Sequence, residues 1–116
     1  MADKTLYLVF GNPYPGKEAE YNEWYDNVHV PDVLSVPGVV SAQRYTVKQL
    51  DRDSGKPVDH GFLTVYVVDG DPNEFMAKLG AAVVSGQVRM ADGDLLFDRM
   101  AVNMSFWTPL GPKTER

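Results

Sequence analysis

The sequence predicts an α+β fold of ferredoxin-like order, β-α-β-β-α-β, and three observations lead there. Apolar residues recur with strand periodicity in four stretches and with helical periodicity in two. Each helical stretch lies between two strand stretches, so the chain reads as two successive β-α-β halves. The halves are joined by a polar tract, Asp51 to Pro57, that suits a hairpin loop between neighbouring antiparallel strands. That order builds one four-stranded antiparallel sheet with two helices on one face.

The first strand is predicted over Thr5 to Phe10, closing at Gly11-Asn12-Pro13. Leu6, Leu8 and Phe10 fall on one side, and Tyr7 and Val9 on the other, so both faces are apolar. A helix follows from Lys17, with Tyr21, Trp24, Tyr25 and Val28 at i, i+3, i+4 and i+7. Glu18, Glu20 and Glu23 load its early part with acid, which suits the positive end of the helix dipole. Pro31 disfavours helical geometry at Val30, so the helix is expected to end or kink there, with His29 at its stop. Asp32 to Ser35 can add a short turn before Pro37-Gly38.

The second strand is predicted over Val39 to Leu50. Val39, Ser41, Gln43, Tyr45 and Val47 fall on one face, and Val40, Ala42, Arg44, Thr46 and Lys48 on the other. His60 to Val68 is the third strand. The second helix starts at Asp71-Pro72-Asn73-Glu74, where Asp71 can cap, Pro72 suits the first helical position and Glu74 completes a capping box. Phe75, Leu79, Ala82 and Val83 are its apolar stripe and Gly86 its terminator. Gln87 to Asp94 reads as loop and Phe97 to Thr108 as the last strand. Residues 109–116 form a polar tail.

Helices on one face of such a sheet leave the other face uncovered, yet the strands are apolar on both. A patch of that size is more than a soluble monomer usually exposes. The expectation is a two-fold homodimer, sheet against sheet, around a barrel-like interior.

Composition narrows the function. The chain of 116 residues is long enough for one domain, spanning 1–116. Two Trp, six Tyr and five Phe, with 44% apolar residues, indicate a packed globule. A net charge of -5, with no run of basic residues, argues against nucleic acid as a partner. The absence of cysteine excludes disulfides, thiolate metal sites and a cysteine nucleophile. The opening Met-Ala-Asp-Lys-Thr lacks a signal-peptide layout, and no apolar run approaches the length of a membrane span, so a cytoplasmic protein without membrane contact is expected. Two histidines far apart in sequence form no metal-ligand spacing. No haem motif, glycine-rich phosphate loop or nucleophile elbow is present, so no metal and no cofactor are expected.

Several stretches together resemble the EthD-like branch of the dimeric α+β barrel superfamily. They are Trp24-Tyr25 followed by His29-Val30-Pro31, then Pro37-Gly38 and Gln43-Arg44-Tyr45. Phe62-Leu63-Thr64-Val65-Tyr66 with Gly70-Asp71-Pro72, and the ending Trp107-Thr108-Pro109-Leu110-Gly111, continue the likeness over nearly the whole chain. The resemblance implies a dimeric barrel. It leaves the activity open, because that superfamily holds polyketide cyclases, cofactor-free monooxygenases, lactone isomerases and haem-degrading enzymes. EthD itself is associated with an ether-degrading cytochrome system. The family's helix histidine corresponds to His29 and its aromatic neighbour to Tyr25. His60 sits near a strand histidine of one plant polyketide cyclase of the superfamily.

His29 is the first candidate for chemistry, since an imidazole titrates near neutral pH and can give or take a proton. Tyr25 and Asp26 precede it by four and three residues, so both can share its flank of the helix. A second role also fits: a histidine in the last helical turn interacts well with the exposed carbonyls. His60 is either a further proton-transfer group or a half-exposed strand-end residue. Tyr45, Tyr66, Asn103 and Arg99 are candidate polar anchors in a ligand cavity, with cross-strand packing as the alternative for the tyrosines. Trp24 can form cavity wall or, like Trp107, plain core.

The expectation is a cofactor-independent enzyme acting on a small hydrophobic, aromatic, cyclic or polyketide-like compound. Its reaction would be proton transfer of the dehydratase, cyclase, isomerase or lyase type. His29 would be the acid or base, Tyr25 would bond the substrate oxygen or shape the wall, and Asp26 would orient the imidazole. Trp24, Tyr45, His60, Tyr66 and Asn103 would contact the substrate. The alternatives are a non-catalytic binding or accessory protein of an oxygenase pathway, and a cofactor-free monooxygenase.

Overall fold

The computed structural model describes residues 4–48, 60–91 and 95–116. Strand β1 is Lys4–Gly11, β2 Val39–Thr46, β3 Phe62–Asp69 and β4 Asn103–Trp107. They form one four-stranded sheet in the order β2-β3-β1-β4. Every pairing is antiparallel, with Tyr7 opposite Tyr66 on one side and Phe106 on the other. The helices are α1 (Glu18–Trp24), α2 (Val30–Leu34) and α3 (Pro72–Ser85). This is the ferredoxin-like α+β arrangement the sequence predicts. The predicted hairpin loop over Asp51 to Pro57 lies outside the described residues.

The register settles which strand face meets the helices. Tyr7, Tyr66 and Val68 are buried in one cluster with Val33, Val36, Phe75 and Ala82, and Val9, Ala42 and Phe106 pack against it. The opposite set, Leu6, Leu8, Phe10, Leu63, Val65 and Val67, forms the free face, where Tyr45 is 50% and Trp107 56% exposed. A β-bulge lies between Val39 and Ser41. It breaks the strict alternation, so Val39 and Ala42 both pack toward the helices, whereas simple alternation puts them on opposite faces.

The first helix does not stop at His29. Residues Tyr25–His29 form a π-helical turn, and helical backbone continues through Val30 (φ -62, ψ -47) into α2. Proline supplies no N–H and its ring crowds the carbonyl four residues back. The π-turn admits Pro31 by spacing the ladder wider: the Val30 N–H reaches the Tyr25 carbonyl, five residues back.

Elsewhere the edges move. Helix α3 starts and stops as predicted, with Gly86 left-handed at φ 85. The Asp71 side chain, however, makes no capping bond, and its carbonyl takes the Phe75 N–H instead. Strand β2 ends at Thr46, and β3 begins two residues after His60. Strand β4 begins only at Asn103. The Asp98 carboxylate accepts the Met100 N–H at 2.9 Å and holds Arg99–Ala101 as a 3-10 turn, where the sequence predicts strand. Among the described residues no helix is long and apolar enough to cross a membrane.

Candidate functional site

Between the covered sheet face and the helices lies a cavity of about 200 Å³. Tyr7, Val9 and Tyr66 line it from the sheet, and Trp24, Tyr25, His29 and Val33 from the first helical run. Met76, Leu79 and Val83 of α3, with Val88 and Met90 of the following loop, close it; Phe97, Arg99, Val102 and Met104 complete the wall. Three methionines in this wall make it deformable.

The π-turn places the imidazole. Residues five apart stand about 140° apart on an α-helix. The wider turn narrows that angle, and the rings of Trp24 and His29 stack at 4.5 Å with 15° between their planes. Tyr25 meets the same imidazole edge-on at 5.6 Å. On the other side, His29 Nδ1 lies 3.1 Å from the Arg89 carbonyl oxygen. A carbonyl only accepts, so Nδ1 carries the proton and Nε2 of the neutral ring carries the lone pair. Burial lowers the His29 pKa below its ordinary value; the Arg89 carbonyl and the Asp32 charge offset part of the drop. At neutral pH the ring is a neutral base.

Asp32, not Asp26, supports this arrangement, and it does so through Arg89. Its carboxylate accepts the Arg89 backbone N–H at 2.9 Å and the guanidinium at 2.9 and 3.1 Å. Residue 89 is therefore held from both ends of its backbone: N–H to Asp32, carbonyl to His29. Asp26 instead pairs with Arg44 at 3.1 Å. That guanidinium lies on the covered face of β2, 4.8 Å from the centre of the Tyr25 ring and 5.7 Å from that of Tyr21. The hydroxyls of Tyr25 and Tyr21 hydrogen-bond to each other. Tyr25 is thus a wall residue whose polar tip is already engaged.

The remaining candidates divide by strand parity. Tyr66 is on the covered face and lines the cavity. It is 1% exposed, and among the described residues its buried hydroxyl has no hydrogen-bond partner. Tyr45 faces the other way, opposite Leu63. It shares a separate hollow with His60 and Phe10. His60 Nε2 lies 2.9 Å from the Ala101 carbonyl. Asn103 pairs with Phe10 and is exposed. Tyr45, His60 and Asn103 are therefore not brought together with His29.

Two contributors escape sequence reasoning. Tyr7 reads as one more apolar strand position, yet it lines the cavity, donates its hydroxyl to Met104 Sδ at 3.0 Å and has its pKa pushed up to about 12 by burial. The available signal was its place opposite Tyr66, which needs the strand register. Arg89 reads as loop, and only the fold brings it to α2. Among the described residues no group of three metal-binding side chains converges.

No family model matches the sequence, and no curated protein matches it. Solved structures match over nearly the whole chain. A protein of Shewanella loihica PV-4, provisionally named a monooxygenase, superposes with a TM-score of 0.61 at 13% identity, over 97% of this chain and 99% of that one. The monooxygenase ActVA-Orf6 of Streptomyces coelicolor, solved with nanaomycin D, gives 0.54 at 16% identity, covering 99% and 94%. An ethyl tert-butyl ether D (EthD) family protein of Bacillus halodurans gives 0.50 at 12% identity, covering 97% and 99%. The four-stranded antiparallel sheet with its helices thus belongs to the same α+β fold as an EthD family protein and a monooxygenase.

Proposed function

We propose that the protein is an enzyme that removes a proton from a small, largely apolar ring compound, with His29 as general base. The observation that carries this reading is the imidazole in the cavity wall. Its Nδ1–H donates a hydrogen bond to the Arg89 carbonyl, its neutral form is favoured by burial, and Nε2 makes no hydrogen bond among the described residues. The wall is largely apolar, which suits an apolar guest and leaves few protein groups to compete for the base. An engineered apolar cavity of about 150 Å³ holds benzene, so the space here suits one ring or a compact pair. Deprotonation then leads to isomerisation, elimination or ring closure, according to what the substrate can expel or attack. The chain supplies the base itself, so this route asks for no cofactor.

A second reading shares the first step. Two of the similar structures are named as monooxygenases. A deprotonated ring CH2 can pass electrons to dioxygen, becoming a carbonyl as O2 is taken up and one water is lost, with the substrate as the only reductant.

Solvent deuterium exchange into a panel of one- and two-ring ketones and phenols tests the common step. His29→Gln is expected to lower exchange by about 100- to 10,000-fold, the usual contribution of a positioned base. A binding or accessory protein would hold the same compounds with no exchange to lose. Oxygen consumption matching product formation would select the monooxygenase reading.

A further inference from the structure

The titratable side chains of the cavity wall are Tyr7, Tyr25, His29, Tyr66 and Arg99. Most of their polar atoms are engaged. Tyr7 donates to Met104, Tyr25 bonds Tyr21, His29 Nδ1 bonds Arg89, and Arg99 has an interaction of its own. Among the described residues two atoms are left over: the lone pair of His29 Nε2 and the hydroxyl of Tyr66. One is an acceptor and the other a donor.

The Tyr66 hydroxyl costs the fold something. A buried polar group without a partner forfeits the hydration it had in the unfolded chain, and native proteins keep few of them. Phenylalanine would fill the same space without that cost. Tyr66 also cannot serve as an anion, because burial and the neighbouring Tyr7 phenol push its pKa well up. It is therefore a neutral donor, carried on a side chain that lines the sheet side of the cavity.

We infer that Tyr66 is a catalytic residue whose hydroxyl receives an oxygen of the substrate, so the substrate class is a ring ketone or phenol. This rests on the reading of His29 as the base. For a ketone the step is enolisation. Nε2 takes a proton from the carbon beside the carbonyl, the C–H electron pair becomes the C=C bond, and the C=O π pair moves onto oxygen. The Tyr66 O–H donates to that oxygen as its charge grows and keeps its own proton. The proton held on His29 Nε2 swaps with solvent deuterium and a deuteron then returns to carbon, which gives exchange, or the proton leaves with a departing group.

The test uses the whole chain with 2-tetralone and tetralin, its counterpart without the oxygen. Wild type is expected to bind the ketone about five- to tenfold more tightly than the hydrocarbon and to catalyse deuterium exchange beside its carbonyl. In Tyr66→Phe the binding preference should vanish and exchange fall about 10- to 100-fold, while the melting temperature rises. The higher melting temperature separates loss of a donor from damage to the fold. Unchanged exchange and preference in Tyr66→Phe would overturn the inference and leave the His29 reading standing. Unchanged exchange in His29→Gln would remove the base on which both depend. A wild-type chain that neither binds nor exchanges 2-tetralone would overturn the substrate class.

Discussion

At the scale of single residues, the chemistry turns on what each polar atom already holds. Among the described residues His29 has one nitrogen tied to a carbonyl and one without a hydrogen bond, which suits the proposed role of a base. Because burial favours the neutral ring, the acid limb of a kcat/KM profile should lie below pH 6.5. The same burial links stability to pH. In the unfolded chain the imidazole takes a proton near pH 6.5, whereas in the folded chain it does so only at lower pH, so stability falls as pH drops through that interval. Trp24 provides a readout through its stack on the imidazole. In a Trp107→Phe background, a fluorescence titration should show a midpoint below 6.5. Asp32→Asn should move that midpoint further down, since it removes a nearby negative charge and loosens the carbonyl that holds Nδ1. An unmoved midpoint would make Asp32 a tether for the loop alone. The sequence made His29 and Tyr25 visible as candidates, because helical spacing brings them together. The partner of the imidazole was beyond its reach: Arg89 is 60 residues away and acts through its backbone.

At the scale of elements, the first helical run shows how a proline can shape a site. The residue pattern calls for an end or a kink at Val30, and the fold answers with a π-turn one step earlier. The spacing rule was sound about where strain would fall; it could not say that the helix would widen rather than end. Pro31→Ala restores the missing N–H and allows an ordinary α-helical turn. The helix is expected to gain on the order of 1 kcal/mol in a thermal melt, while deuterium exchange slows as Trp24 and His29 rotate out of register. Faster or unchanged exchange would mean that the π-turn holds without the proline. The last strand teaches a related lesson. Its alternation extends back to Phe97, but a single carboxylate at Asp98 offers the backbone a turn, and pairing waits until Asn103.

At the scale of the whole molecule, element order was legible because period and turn residues agree along the chain. Face assignment was not, because alternation in β1 and β3 is apolar on both sides. Only packing decides which side the helices take. The face they leave carries Leu6, Leu8, Val65, Val67 and Trp107. A second copy set face to face would cover it. Light scattering is expected to give twice the 12.9 kDa of the chain. Val65→Lys, and separately Leu6→Lys, should shift the mass to that of one chain without emptying the cavity, which lies on the other side of the sheet. A wild-type mass of a single chain would remove this assembly.

The thioethers of Met76, Met90 and Met104 carry a liability as well as pliancy. Peroxide converts such sulfur to sulfoxide, a polar and stereogenic group. At Met104 the new oxygen would stand beside the phenol of Tyr7 and draw its hydrogen bond away from sulfur. Oxidative stress would thus wet the chamber from within, silencing the protein while its backbone stays intact, until a sulfoxide reductase restores the wall.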